Sequence, residues 1–264
     1  MDLNIAGKTA FVSGSTAGIG LATATRLARE GAHVTVNGRA QARVDGAIAH
    51  IRAAVPAAGV SGVAADLSTA NGAATVVHAL PDVDILVNNL GIFEPKAFAD
   101  ITDADWLRLF ETNVMSGVRL ARAWLPGMRR RNWGRIVFVS SESGVDIPAE
   151  MIHYGMTKTA QAAVARGLAE SLAGTAVTVN TVLAGPTASE GVSTFVAKLA
   201  AERGVTPAAM EKEFFATARP SSLLKRFIQP DEVANLIAYL ASPLASATQG
   251  AALRVDGGVV RAVL

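Results

Sequence analysis

Apolar residues along this chain fall into two alternating kinds of segment. Short, nearly continuous aliphatic runs are separated by longer stretches in which apolar positions recur every three to four residues. The first kind fits strands buried on both faces and the second fits amphipathic helices, so their alternation predicts a parallel sheet covered on each side by helices. Strands are expected at Thr9 to Ser13, His33 to Asn37, Val60 to Ala64, Ile85 to Asn88, Gly134 to Ser140, Val177 to Leu183 and Ala252 to Val255. The clearest helices lie at Ile19 to Glu30, Ala40 to Ala54, Asp103 to Met128, Ile152 to Ala173 and Pro230 to Leu240. Gly31 stands where a left-handed residue closes the first helix, and Pro230 with Asp231 and Glu232 opens the last. Residues 1–264 therefore read as a single α/β domain built on a seven-stranded parallel sheet.

One stretch breaks the alternation. Ser189 to Gln229 reads as two short helices, Val192 to Glu202 and Pro207 to Ala218, inserted after the sixth strand. Ligands of open α/β sheets sit beyond the carboxyl ends of the strands, so residues 189–229 are placed to act as a substrate lid.

Composition removes several chemistries. Half of the 264 residues are apolar, enough for a large core, and there is no cysteine, which excludes disulfides, thiol catalysis and thiolate-bound zinc. His33, His50, His78 and His153 show no metal-ligand spacing. No long apolar run or basic leader is evident, so a soluble cytoplasmic protein without a membrane partner is expected. The formal charge is +2 although the isoelectric point is about 9.1. The basic residues that cluster, Arg129, Arg130, Arg131 and Arg135, end a predicted helix, where cations complement its dipole, and no nucleic-acid partner is expected.

The first strand runs into VSGSTAGIG, Val12 to Gly20, and directly into a helix. Gly14, Gly18 and Gly20 permit a tight turn, close approach of a pyrophosphate and close packing of helix on strand; Ser15, Thr16 and Ile19 complete the candidate phosphate cradle. At the end of the second strand Gly38 and Arg39 stand where an acidic residue would bind the ribose of NAD. A guanidinium there suits a 2′-phosphate, which favours NADP over NAD; otherwise Arg39 is a solvated residue opening a helix. Asp66, followed by Leu67, is placed either to accept from an adenine amino group or to cap a helix.

Ser141 follows the fifth strand, Tyr154 comes thirteen residues later, and Lys158 four beyond that. Tyr and Lys one helical turn apart share a face, and the ammonium is expected to lower the phenol's pKa toward neutrality, giving a usable acid and base.

With these motifs the sequence resembles the classical short-chain dehydrogenase/reductases along essentially its whole length. SGSTAGIG is similar to that family's cofactor turn, NNLG (Asn88 to Gly91) to its NNAG, Asn113 to the asparagine of its tetrad, and VDGG (Val255 to Gly258) to its last strand. The resemblance implies a Rossmann-like, doubly wound fold and hydride transfer between NADP and a small-molecule carbonyl or alcohol. It implies that Ser141 stabilises the substrate oxygen, Tyr154 transfers the proton, Lys158 binds the nicotinamide ribose, and Asn113 holds a water linking the lysine to solvent. Asn88, Gly91, Gly185 and Thr187 join the cofactor contacts, and a homotetramer formed through Asp103 to Met128 and Ile152 to Ala173 is implied as well. The choice of Ser141 over Ser140 rests on the family's spacing.

Three positions depart from the pattern. Leu90 replaces alanine and either crowds the adenosine side or repacks; Ala184 replaces a proline, which is expected to loosen the turn at Gly185; Ser189 replaces a threonine. The substrate wall is expected from Glu142, Ser143, Val145, Ile147, Phe93, Met151, His153 and the lid, with Glu142, Asp146, Glu150 and His153 otherwise solvated loop residues. A 3-oxoacyl thioester reductase is the narrower alternative. A cofactor-binding regulator without turnover and an assembly subunit are the non-enzymatic ones.

Overall fold

The computed structural model describes residues 2–263 and contains all seven expected strands. They are β1 (Thr9–Val12), β2 (His33–Gly38), β3 (Val60–Ala64), β4 (Ile85–Asn88), β5 (Gly134–Ser141), β6 (Val177–Ala184) and β7 (Ala252–Val255). All pair in parallel, in the order β3-β2-β1-β4-β5-β6-β7. The order reverses between β1 and β4, which opens a crevice at their carboxyl ends.

Helices α1 (Gly18–Arg29), α2 (Gln41–Ala54), α3 (Ala70–Ala79), α4 (Asp103–Phe110), α5 (Ser116–Arg131), α6 (Ile152–Glu170), α7 (Glu190–Arg203), α8 (Pro207–Thr217) and α9 (Pro230–Leu240) connect the strands. The period-2 alternation of strand side chains divides the core. Val12, Val36, Val87 and Val139 pack with α1, α2 and α9 on one face, whereas Phe11, Leu86, Ile136 and Phe138 pack with α3, α5 and α6 on the other. Trp124 of α5 fills the second layer, 5.3 Å from Phe11 between ring centroids, and its indole nitrogen donates to the Leu80 carbonyl at 2.8 Å.

Several elements differ from the sequence reading. The predicted helix Asp103 to Met128 is interrupted by a wide π turn, Glu111–Met115, that carries Asn113. α3 lies outside the helices expected from sequence; Gly72 in its first turn packs where a Cβ would come within 1.9 Å of the Asp66 carbonyl oxygen. α6 stops at Glu170, and the next three residues form tight turns. β6 continues through Ala184, which lies between Ser141 of β5 and Val255 of β7 and is 5 % exposed. The alanine thus extends the sheet up to the turn at Gly185.

Arg131 and Arg135 are built into the fold, Arg131 on Asp82 and the Val83 carbonyl, Arg135 buried on three backbone carbonyls. Among the described residues no helix is long and apolar enough to cross a membrane.

Candidate active site

The turn after β1 is held from three sides. Ser15 Oγ donates to the Val12 carbonyl at 2.7 Å and accepts from Asn37 N at 2.9 Å; Ser13 Oγ accepts from the amides of Asn89 and Leu90; Asn89 Nδ2 donates to the carbonyls of Ser13 and Gly14. Gly14 and Gly18 have φ of +59° and +55°, a region that side-chain-bearing residues rarely occupy. Ala17, which precedes α1, provides no side-chain cap, and there is no acidic residue in the helix's first turn. Its first amides and positive dipole end are thus left for an anion.

Gly14, Gly18, Ile19, Gly91, Tyr154, Lys158, Gly185 and Thr187 all line one cavity of about 840 Å³, together with Ser141. The remaining predicted cofactor residues do not line it. Gly20 makes room for the Gly14 carbonyl, where a Cβ would stand at 2.5 Å, and Thr16 packs its methyl where a Cβ on Gly38 would meet it at 2.6 Å. Ser15 ties the turn together, Leu67 is a core residue, and Arg39 is exposed beyond β2. Asp66 is not the helix cap: it accepts from the amide and hydroxyl of Ser68, while Thr69 caps α3. Asn88 is buried, and neither atom of its amide finds a hydrogen-bond partner among the described residues. Leu90 both packs on the second core layer and lines the cavity; its Cδ1 lies 3.2 Å from where a Cβ on Gly14 would stand.

Ser141 ends β5, and α6 runs past it carrying Tyr154 and Lys158. Ser140 donates its hydroxyl to the Lys158 carbonyl at 2.8 Å, fastening helix to strand. Ser140 and Ser143 line the cavity beside Ser141. The Ser141 hydroxyl donates to Glu142 Oε2 and accepts from Ser143 N at 3.1 Å. Lys158 Nζ donates to the Val139 carbonyl and to Gln161 Oε1, each at 3.0 Å, and lies 5.6 Å from the Tyr154 ring centroid. Asn113 clamps Ile92 by two hydrogen bonds and reaches Thr157 with a third. Its carbonyl accepts from Gln161 Nε2 at 2.7 Å. The Gln161 side chain thus bridges Lys158 and the Asn113 carbonyl.

The electrostatics also depart from the expectation. Burial pushes the Tyr154 phenol above its ordinary value, the Glu142 charge pushes it further, and the Ser141 hydrogen bond and Arg219 oppose only in part. Lys158 does not offset this; burial brings its own ammonium down to about 8. The tyrosine is therefore a protonated acid in the unliganded protein.

The wall differs too. Phe93, Met151, Glu142 and Ser143 line the cavity, but Val145 and Ile147 are exposed outside it, and His153 is fully buried against Trp106 at 5.9 Å with burial lowering its pKa. Glu142 is no solvated loop residue: it is buried and paired with Arg219 at 3.1 Å. Glu150 is exposed but reaches Arg219, and Asp146 is exposed.

α7 and α8 stand over the cavity and pack through a small core of their own, in which Phe214, Phe215 and Phe227 contact one another. Ser189 caps α7, and Glu190 ties its start to Arg43 of α2 at 2.5 Å. Gln161 and Arg219 were missed from the sequence. Gln161 carried a signal, a polar residue one turn beyond Lys158 on a helix otherwise rich in alanine; Arg219 carried none. Among the described residues no cluster of three metal-ligating side chains exists.

The family model described as Enoyl-(Acyl carrier protein) reductase matches residues 14–260. The chain is 48% identical over 263 residues to the uncharacterized oxidoreductase YvaG of Bacillus subtilis, covering 100% of each. It is 32% identical to the 3-oxoacyl-[acyl-carrier-protein] reductase FabG of Aquifex aeolicus, covering 98% of this chain and 100% of the other. Among solved structures, the L-sorbose reductase of Gluconobacter frateurii complexed with NADPH and L-sorbose superposes with a TM-score of 0.93 at 31% identity over the full length of both chains.

Proposed function

The chain belongs to the short-chain dehydrogenase/reductase family and is an oxidoreductase that uses a nicotinamide dinucleotide; from that premise we infer that it is an NADPH-dependent ketone reductase with Tyr154 as its proton donor. The observation that carries this reading is the meeting of Ser141, Tyr154 and Lys158 on the wall of one cavity whose other wall is the uncapped start of α1.

The residues fit the dinucleotide. Its pyrophosphate matches the free amides after Gly18, and Gly14 and Gly18 leave the backbone bare where phosphates approach. Gly38 leaves no room for the acidic side chain that would select NAD, since even a Cβ would meet Thr16 at 2.6 Å. Arg39, the next residue, supplies the cation for a 2′-phosphate. Lys158 and Thr187 hold the nicotinamide half. When bound, the cofactor supplies the hydride.

Tyr154 delivers a proton to the carbonyl oxygen; its raised pKa keeps the phenol protonated while making it a weaker acid, and Ser141 donates a hydrogen bond to the same oxygen as negative charge develops there. Lys158 places its charge beneath the phenol and is itself held by Val139 and Gln161. Asn113 fixes the loop at Ile92 against the start of α6. Residues 189–229 act as a lid that excludes water. The groove between α5 and α6, lined by Val118, Leu125, Val164 and Leu168, is the face through which a homotetramer would form.

The test is a parallel titration with NADPH and NADH, then a panel of ketones followed by loss of nicotinamide absorbance. NADPH preference with turnover bears the reading out; tight binding without turnover across the panel sinks it.

A further inference from the structure

The floor of the cavity carries a charged pair that the proton transfer described above does not use. Glu142 follows Ser141 and is 4 % exposed. A carboxyl group buried this deep is costly unless it is paired and hydrogen-bonded, and its partners are all present. Oε2 accepts from the Ser141 hydroxyl; Oε1 accepts from Ser143 Oγ at 3.2 Å and from Arg219 Nε at 3.1 Å. Arg219 arrives from the segment after α8, with 11 % of its side chain exposed, and its Nη1 donates to the Ala218 carbonyl at 2.8 Å and to Glu150 at 3.4 Å.

Two properties of this pair limit what it can recognise. The guanidinium is already matched by two carboxylates, so it is not free to hold a substrate carboxylate or phosphate, and an anion there would be repelled by Glu142 and Glu150. The second property concerns Ser141. In the unliganded site its proton is directed at Glu142, yet reduction requires that proton on the substrate oxygen. Freeing the serine strips Oε2 of its one donor. A substrate that brings a replacement donor, placed beside its carbonyl, restores that bond; one that does not leaves a buried carboxylate oxygen unsatisfied.

We propose that the substrate is a neutral α-hydroxy ketone, whose hydroxyl takes the place of Ser141 on Glu142 and so releases the serine to the carbonyl, while Arg219 keeps the carboxylate in position. This rests on the reductase reading. The hydride from the dihydronicotinamide forms the new C–H bond at the carbonyl carbon, and the proton of Tyr154 forms the O–H bond. The ketone is reduced to a vicinal diol, the cofactor is oxidised, solvent reprotonates Tyr154, and Glu142 gains and loses no proton. Glu142 is thereby the specificity-determining residue and Arg219 a positioning residue.

The experiment compares hydroxyacetone with methoxyacetone, which keeps the electron-withdrawing oxygen but has no donor, under saturating NADPH. The expected ratio of kcat/KM is about tenfold to a hundredfold in favour of the hydroxy compound, the range set by one unsatisfied buried acceptor. In Glu142→Met/Arg219→Met, which removes both charges together, the ratio falls to about one; Arg219→Lys retains most of it. Pyruvate, the anionic comparison, is turned over more poorly than hydroxyacetone. Equal turnover of hydroxyacetone and methoxyacetone by the natural chain, or a ratio that persists in the double variant, overturns the proposal and leaves the reductase reading standing. No turnover of any ketone overturns both.

Discussion

Lys158 donates from Nζ to the side-chain oxygen of Gln161 at 3.0 Å, and the other end of that amide donates to the Asn113 carbonyl at 2.7 Å. One buried side chain thus holds the ammonium on one side and the π turn before α5 on the other. Gln161→Leu leaves the lysine with the Val139 carbonyl as its remaining hydrogen-bond acceptor in the unliganded protein, at a cost of about 1–3 kcal/mol. Thermal melts of the unliganded variant should fall by several degrees, and its kcat should drop with it. Gln161→Glu should instead raise the lysine pKa. A melting temperature untouched by the leucine would mean that the bond is idle.

Lys158 also sets a pH signature. Burial brings its pKa from the ordinary lysine value of about 10.5 down to about 8, so the folded protein sheds this proton while the unfolded chain still binds it. Between about 8 and 10.5 the unfolded state therefore holds more protons, and this group's contribution to stability rises with pH, by up to about 3 kcal/mol. Below about 8 the penalty of the buried charge is present in full. Urea titrations of the natural chain and Lys158→Met across that window should show the slope in the first and not in the second.

Tyr154→Phe removes the only proton that the proposed reduction delivers. Turnover should fall by about 10²–10⁴-fold, whereas the dissociation constant for NADPH stays within a few-fold, read by fluorescence titration. A variant that keeps its rate would take the proton role away from this residue.

Cofactor choice should follow the end of β2. Arg39→Ala is expected to weaken NADPH about tenfold or more, the scale of a charge-assisted bond to phosphate, without affecting NADH. Gly38→Asp alone should bind neither well, because its Cβ meets the Thr16 methyl at 2.6 Å; paired with Thr16→Ser it should gain NADH. Equal NADPH affinity in Arg39→Ala would leave Arg39 a solvated surface residue.

Much of the fold was readable from residue order because both faces of the sheet are buried. That condition writes each strand as an apolar run, and all seven strands stood within a residue at either end of where those runs placed them. The glycines of the turn were readable for a related reason, since a left-handed backbone and close contacts tolerate little else. Ser141, Tyr154 and Lys158 were found by type and spacing, as a strand end and one helical turn set their neighbourhood locally.

Local sequence does not encode a change of helical winding, so the π turn at Asn113 emerged only in three dimensions. Nor does it say what a charge will face. Glu142 looked equally fit for solvent, and its partner lies 77 residues away on a segment joined to it only by folding. The direction of the tyrosine shift was decided in the same way: the lysine one turn on suggested a lowered pKa, but packing withdrew the phenol from water and set a carboxylate beside it. Periodicity and backbone restrictions are properties of neighbouring residues, and they determined the sheet, the turn and the identity of the reacting groups. Desolvation and pairing depend on what the chain brings together from afar, and those the tertiary structure alone decided.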